Sequence, residues 1–101
     1  MDIEHIREMV KLGMYETTFE VTKRMAEREF GWDQIEQAIL NGRIVRREPK
    51  QKPYPKCTIL GYVERTVAGL DLPGLHGLYI GCALGKEIII ITAYWEGERR
   101  K

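Results

Sequence analysis

The segment Leu72–Tyr94, LPGLHGLYIGCALGKEIIIITAY, decides the fold of this chain. Its pattern predicts a turn carrying a His, a strand over Leu78–Ala83, a hairpin turn, and a second strand over Glu87–Tyr94. Four consecutive isoleucines suit a central strand buried on both faces, because β-branched side chains pack well on a pleated surface. The polar residues in this region, His76 and Tyr94, are therefore candidates for a functional site.

The length of 101 residues predicts one domain spanning residues 1–101. The 44% apolar and 31% charged content is typical of a soluble globular protein. We expect no membrane span, because no apolar run approaches the necessary ~20 residues, and no signal peptide. Cys57 and Cys82 fit no metal-binding spacing and indicate a reducing cytoplasm, although a disulfide between them stays open. The sequence predicts neither a metal site nor a cofactor.

The N-terminal half has helical periodicity. Asp2–Leu12 predicts one helix, Thr18 or Thr22 begins a second that ends near Phe30-Gly31, and Asp33 is expected to cap a third. The later segments predict strands, with an edge strand over Arg43–Arg47, a strand over Lys56–Thr66, a turn-rich connection over Val67–Gly74 and a frayed tail over Glu96–Lys101. We therefore expect an α+β fold, with N-terminal helices packed on a twisted, mainly antiparallel sheet of about four strands.

Charge is divided unevenly along the chain. Residues 1–42 carry five Lys and Arg against nine Asp and Glu, a net −4, whereas residues 43–101 carry eleven against six, a net +5. The densest basic cluster consists of Arg43, Arg46, Arg47, Lys50, Lys52 and Lys56, with Tyr54 among them. Cations beside an aromatic ring suit a phosphate backbone with unpaired bases. A solvated edge strand and loop explain the same residues equally well.

Other polar residues are weaker candidates. Arg24 and Arg28, with Lys23 beside them, could clamp a phosphate, but ion pairs on the helix surface with Glu20 and Glu27 are the more usual role. His76 could exchange protons near neutral pH, as phosphodiester cleavage requires, or could be structural.

The ordered pieces of the chain resemble a family of small bacterial proteins, often labelled a domain of unknown function, with a RelE/ParE-type toxin fold. The matching pieces span roughly residues 3–95. They are Ile6-Arg7 with Val10, the segment TFEVTKRMAER over Thr18–Arg28, Ile35 with AILNG over Ala38–Gly42, Tyr54-Pro55-Lys56-Cys57, Leu60-Gly61, Leu75-His76 and Ile91-Thr92-Ala93-Tyr94.

The resemblance implies a cytoplasmic, RNA-directed toxin of a bacterial toxin–antitoxin pair. It implies RNA as substrate, in some cases on the ribosome, and a small cognate antitoxin as partner, with a homodimer also open. Such proteins cut RNA without a metal, by placing basic residues and a His or Tyr around the scissile phosphate. By position, the resemblance assigns this role to Arg24, Arg28, His76 and Tyr94.

One departure from the family pattern concerns the start of the second helix. The family usually has His-Ala where this chain has Glu20-Val21. Glu20 would then have to act as the base, and a neighbouring Arg24 would make its carboxylate a weaker one. The sequence therefore leaves two functions open. One is an endoribonuclease using His76, Tyr94, Arg28 and Glu20, with RNA held by Arg24, Lys23, Arg46, Arg47, Tyr54 and Lys56. The other is an inactive module of the same fold that binds a protein or RNA through its basic edge.

Overall fold

The three helices found among residues 2–98 lie in the N-terminal half of the chain, and most of the sheet comes from the C-terminal half. A computed structural model describes residues 2–98. The helices are α1 (Ile3–Lys11), α2 (Phe19–Arg28) and α3 (Trp32–Asn41). The strands are β1 (Tyr15–Thr17), β2 (Arg43–Glu48), β3 (Lys56–Val63), β4 (Thr66–Val67), β5 (Leu70–Asp71), β6 (His76–Leu84) and β7 (Ile88–Trp95).

The main sheet has five strands in the order β1-β7-β6-β3-β2. Its pairs are antiparallel except for β1 and β7, which run parallel. The predicted α+β fold with a mainly antiparallel sheet is confirmed. The strand count differs, because β1 joins the sheet at one edge and β4–β5 forms a separate small hairpin. That hairpin includes part of the segment Val67–Gly74, which was expected to be a turn-rich connection.

The helices cover one face of this sheet and form the core with it. Apolar side chains of all three helices, including Ile6, Val21 and Ile35, are fully buried in one cluster with Ile59 of β3 and Ile80 of β6. Burying such side chains stabilises the fold by about 1.5–3 kcal/mol each. The sheet and its single helical layer thus share one core.

The isoleucine run in β7 is buried on one face instead of two. Ile88 and Ile90 belong to the core, whereas Ile89 and Ile91 are half-buried on the opposite face. The strand is internal, as expected, but β6 occupies the middle of the sheet. The expectation of burial on both faces was wrong because no helix among the described residues covers the second face.

Two helix boundaries differ from those expected. Helix α2 begins at the predicted cap Thr18, whose hydroxyl accepts a bond from the Val21 amide, but it ends earlier than expected, where Glu29 adopts a left-handed φ of 55°. The cap of α3 is Gly31 and not Asp33, because the Gln34 side chain accepts a hydrogen bond from the Gly31 amide at 2.6 Å.

The first part of the C-terminal tail is held in place. The Glu98 carboxylate accepts a 2.7 Å hydrogen bond from the Trp95 amide and pairs with Arg28. The expected fraying therefore does not start at Glu96, and residues 99–101 lie outside the described part of the chain. None of the three helices is both long and apolar enough to span a membrane.

Candidate functional site

The face of the main sheet opposite the helices, called the open face here, carries the candidate site. Register and alternation place on it Thr58 and Leu60 of β3, Tyr79 and Gly81 of β6, and Thr92 and Tyr94 of β7. On the edge strand β2, Arg46 lies opposite Thr58 and so belongs to the same face.

A shallow depression of about 330 Å³ lies on the open face. Only strands contribute to it, and the lining residues are Val45, Arg46, Glu48, Lys56, Cys57, Thr58, Tyr79, Gly81, Cys82, Ile91, Thr92 and Tyr94. Its floor is low at Gly81, where an added Cβ would lie 2.7 Å from the Thr92 methyl carbon. Because Gly81 on β6 has no side chain, a space remains between the side chains of β3 and those of β7.

Two stacked tyrosines form one wall of this depression. Tyr79 and Tyr94 lie directly opposite each other on neighbouring strands, with ring centroids 5.0 Å apart and ring planes 20° apart. Cross-strand aromatic pairs stabilise a sheet and hold each other in a fixed orientation. The result is an ordered aromatic platform beside an open floor.

Basic side chains stand on the other side of the depression. Arg46 is largely exposed, and its Nε lies 3.8 Å from a Glu48 carboxylate oxygen, beyond hydrogen-bond distance. Lys56 lies opposite Glu48 in the register, and the Glu48 carboxylate also accepts a 3.1 Å bond from Gln51. Arg43, opposite Leu60, adds a third cation on the same face. The Arg46 guanidinium therefore remains accessible to an anion.

Three of the predicted binding and catalytic residues, Arg46, Lys56 and Tyr94, line this one depression. Two other predicted RNA-binding residues, Arg47 and Tyr54, lie elsewhere. Arg47 is opposite Cys57 and belongs to the helix side of the sheet edge, and Tyr54 packs beside Gly85 in the turn before β7.

His76 and Tyr94 do not meet. His76 lies opposite Val63 and shares the helix side of the sheet with Leu78, whereas Tyr94 lies on the open face. The His76 ring nitrogen Nε2 is 3.2 Å from the Pro73 carbonyl oxygen, so the ring is held by its own turn. The sheet itself separates the two side chains expected to share the chemistry.

The α2 candidates are engaged in ion pairs. Arg24 donates to the Glu20 carboxylate at 3.1 Å, one helical turn away, and Arg28 pairs with Glu98. The Arg28 carbonyl also accepts a 2.9 Å bond from the Trp95 indole, on the helix side of β7. Lys23 is exposed on the same helix. These contacts explain Arg24, Arg28 and Glu20 as residues that stabilise the fold, and none of the contacts just described involves His76.

Sequence reasoning missed Tyr79 and the two threonines, Thr58 and Thr92, that flank Gly81. Tyr79 falls within the predicted strand Leu78–Ala83, where it alternates with the buried Leu78 and Ile80. That alternation was a signal that its ring faces the other side of the sheet.

The open face offers stacking, positive charge and hydroxyl groups. Aromatic rings can stack on unpaired bases, while Arg46 and Lys56 can approach the phosphates. The hydroxyls of Tyr79, Tyr94 and Thr58 can both donate and accept hydrogen bonds. No cluster of three or more metal-ligating side chains occurs among residues 2–98.

A comparison with known families identifies this chain over most of its length. Residues 17–95 match the family described as a domain of unknown function, DUF4258, and the chain belongs to that family. Neither curated proteins nor solved structures gave a match. The matched range includes every residue that lines the depression and leaves α1 and most of β1 outside.

Proposed function

We propose that this protein binds single-stranded RNA across the open face of its sheet. The observation that carries the proposal is the stacked pair Tyr79–Tyr94 beside a depression whose other side holds Arg46 and Lys56. Platforms that bind single strands combine aromatic stacking with a track of cations in this way. The resemblance to RNA-directed toxins of RelE-like fold makes RNA the first nucleic acid to test.

The stacked tyrosines favour a single strand over a duplex. Bases of a duplex are stacked on each other and unavailable to tyrosine rings, whereas unpaired bases can turn onto them. The charges also favour RNA bound with its bases on the tyrosines, since its phosphates would then lie toward β2, where Arg43 and Arg46 are exposed. An RNA strand crossing the sheet from β7 to β2 would place its bases on the two tyrosines and its phosphates near the two arginines.

The proposal selects the binding module in preference to the nuclease. The endoribonuclease mechanism requires an acid and a base on one side of the RNA, and His76 is on the other side of the sheet from Tyr94. A RelE-like fold, a toxin role and a cognate antitoxin remain proposals. They are supported by the resemblance and by a helix-covered sheet with a bare second face.

The experiment measures the fluorescence anisotropy of a labelled single-stranded RNA of about ten nucleotides, titrated with protein. We expect Tyr79→Ala and Tyr94→Ala each to weaken binding about tenfold, because stacking contributes about 1–3 kcal/mol per base. Phe19→Ala is the matched control, because this exposed ring lies on α2.

Four outcomes decide the proposal. Equal loss with Phe19→Ala, or equal affinity for duplex and single-stranded RNA, would exclude the open face as a stacking surface. Intact RNA after long incubation supports the module. Cleavage products that disappear with Tyr94→Ala but persist with His76→Ala would instead locate an active site on the open face.

A further inference from the structure

The outer edge of β1 is a second surface with the properties of a binding site. Among the described residues β1 has one strand neighbour, β7. The Met14 carbonyl accepts from the Ile88 amide at 3.2 Å, and the Thr18 amide donates to the Ile90 carbonyl at 3.1 Å. Because a strand bonds its neighbours alternately, the backbone groups of Tyr15 and Thr17 point away from β7. They are placed to pair with a further strand.

Large exposed apolar side chains are frequent next to this edge, in the sequence or by contact. Of the ten large hydrophobic residues that are exposed in the described chain, four flank or contact β1: Leu12, Met14, Phe19 and Trp32. Phe19 is 83% exposed and Leu12 is 67% exposed, so folding leaves both apolar side chains largely uncovered. Trp32 packs near Tyr15, with ring centroids 6.3 Å apart. Such a concentration of apolar surface is typical of an interface.

A groove of about 460 Å³ runs along the same edge. Its lining residues are Gly13, Tyr15, Glu16, Thr17, Trp32 and Glu36. The Tyr15 hydroxyl donates to the Glu36 carboxylate, which fixes this wall. The register places Tyr15 on the helix side of the sheet and Glu16 on the open side. An added strand would therefore lie beside the rings of Tyr15 and Trp32. The Glu36 carboxylate, bound to Tyr15, would face it on the helix side, and the Glu16 carboxylate on the open side.

The charge of the groove defines its occupant. Glu16 and Glu36 line it, Asp33 stands in the adjoining first turn of α3, and the first 42 residues carry a net −4. This charge disfavours RNA. It also disfavours a symmetric pair of two β1 edges, since Glu16 would lie near its copy.

We infer that this groove binds an extended segment of a partner protein, with alternating apolar and basic side chains, as a sixth strand of the sheet. Main-chain bonds to Tyr15 and Thr17 would give affinity, as in other proteins that accept an added strand. Basic side chains on one face of the added strand would meet Glu16 on the open side, and apolar ones on its other face would cover Trp32 on the helix side. This surface lies at the opposite end of the sheet from β2, so it does not depend on RNA binding.

The experiment uses a synthetic peptide of about six residues, the usual strand length, in which valine alternates with lysine. Its counterpart alternates valine with glutamate. Isothermal titration with the full chain should show binding of the basic peptide at least about tenfold tighter than that of the acidic one. Glu16→Lys should weaken the basic peptide by about tenfold, whereas Glu8→Lys on α1 should leave it unchanged.

Hydrogen exchange then distinguishes strand addition from simple charge attraction. Saturating basic peptide should slow exchange of the Tyr15 and Thr17 amides by at least about tenfold, because these groups become hydrogen-bonded. Equal binding of both peptides, binding without this protection, or protection caused by dimerisation of the chain alone in sedimentation would each overturn the inference. Circular dichroism of each variant establishes that it is folded.

Discussion

At the scale of single residues, Tyr15 has the clearest electrostatic perturbation. Burial and its hydrogen bond to the Glu36 carboxylate raise the pKa of Tyr15 to about 12, from the ordinary 10.0. The folded state therefore holds this proton more tightly than the unfolded chain does. The stability that it contributes is present below pH 10 and is lost as the pH rises from about 10 to about 12.

The prediction is a titration component near pH 12 in the ultraviolet absorbance of ionised tyrosine. Glu36→Gln should lower the pKa of Tyr15, since it removes the negative charge that disfavours the phenolate. Tyr15→Phe should abolish the component altogether. Persistence of that component in Tyr15→Phe, with circular dichroism showing a folded chain, would assign it to another tyrosine.

The two cysteines form a second perturbed pair. Cys57 and Cys82 lie directly opposite each other on β3 and β6, both buried and both free. The hydrogen bond from the Cys82 thiol lowers the pKa of Cys57, and the same bond together with burial raises the pKa of Cys82. The disulfide that the sequence left open is not formed, since both residues are free thiols.

Alkylation shows this asymmetry, because the thiolate is the reactive form. We expect iodoacetamide, followed by mass spectrometry of the native chain, to modify Cys57 at a lower pH than Cys82. Cys82→Ala should shift the pH profile of Cys57 upward, since it removes the hydrogen-bond donor. Cys82→Ser is the control that keeps a donor and should shift the profile less. Identical profiles for all three proteins would contradict the assignment.

At the scale of elements, α3 lies directly against β3 because Gly61 has no side chain. A Cβ at Gly61 would lie 2.1 Å from the Ala38 carbonyl oxygen, and one at Gly42 would lie 2.3 Å from the same atom. We expect Gly61→Ala to lower the free energy of unfolding by roughly 2–3 kcal/mol, since the helix must move away. Urea denaturation measures this change.

The control for that measurement is Gly85→Ala in the turn between β6 and β7. A Cβ there would make ordinary contact with Tyr54 at 3.4 Å, so we expect little change in the urea midpoint. A midpoint for Gly61→Ala that matches Gly85→Ala would mean that α3 tolerates a wider spacing.

The elements themselves could largely be predicted, but the two faces of β7 could not. The cap at Thr18 and the edge strand β2 follow from local chemistry. The four isoleucines lack alternation, so the sequence could not tell one buried face from two. A register shift between Gly81 and Cys82 of β6 lies opposite the isoleucine run of β7. It changes which face the later residues of β7 occupy, and this change can be recognised only once the strands are paired.

At the scale of the whole molecule, strand order decides which candidates meet. Arg46, Lys56 and Tyr94 are far apart in the sequence, and they share a depression because β2, β3, β6 and β7 are neighbours. His76 was placed with Tyr94 because both are polar residues of the segment Leu72–Tyr94, and because the resemblance gave both a role. A shift of one residue in a strand exchanges its two faces, so the register and not the motif determined that outcome.

The basic half of the chain also supplies the cations of the open face, and their number predicts how RNA affinity should depend on salt. Three cations of the open face, Arg43, Arg46 and Lys56, lie on β2 and β3. If each neutralises one phosphate, the logarithm of RNA affinity should fall with the logarithm of salt concentration with a slope of about −2. Arg46→Ala should reduce that slope to about −1.4, because one fewer counterion is released. Lys11→Ala, on α1, is the matched control and should leave the slope unchanged. A slope that responds equally to both substitutions would mean that RNA is attracted by overall charge and not held on the open face.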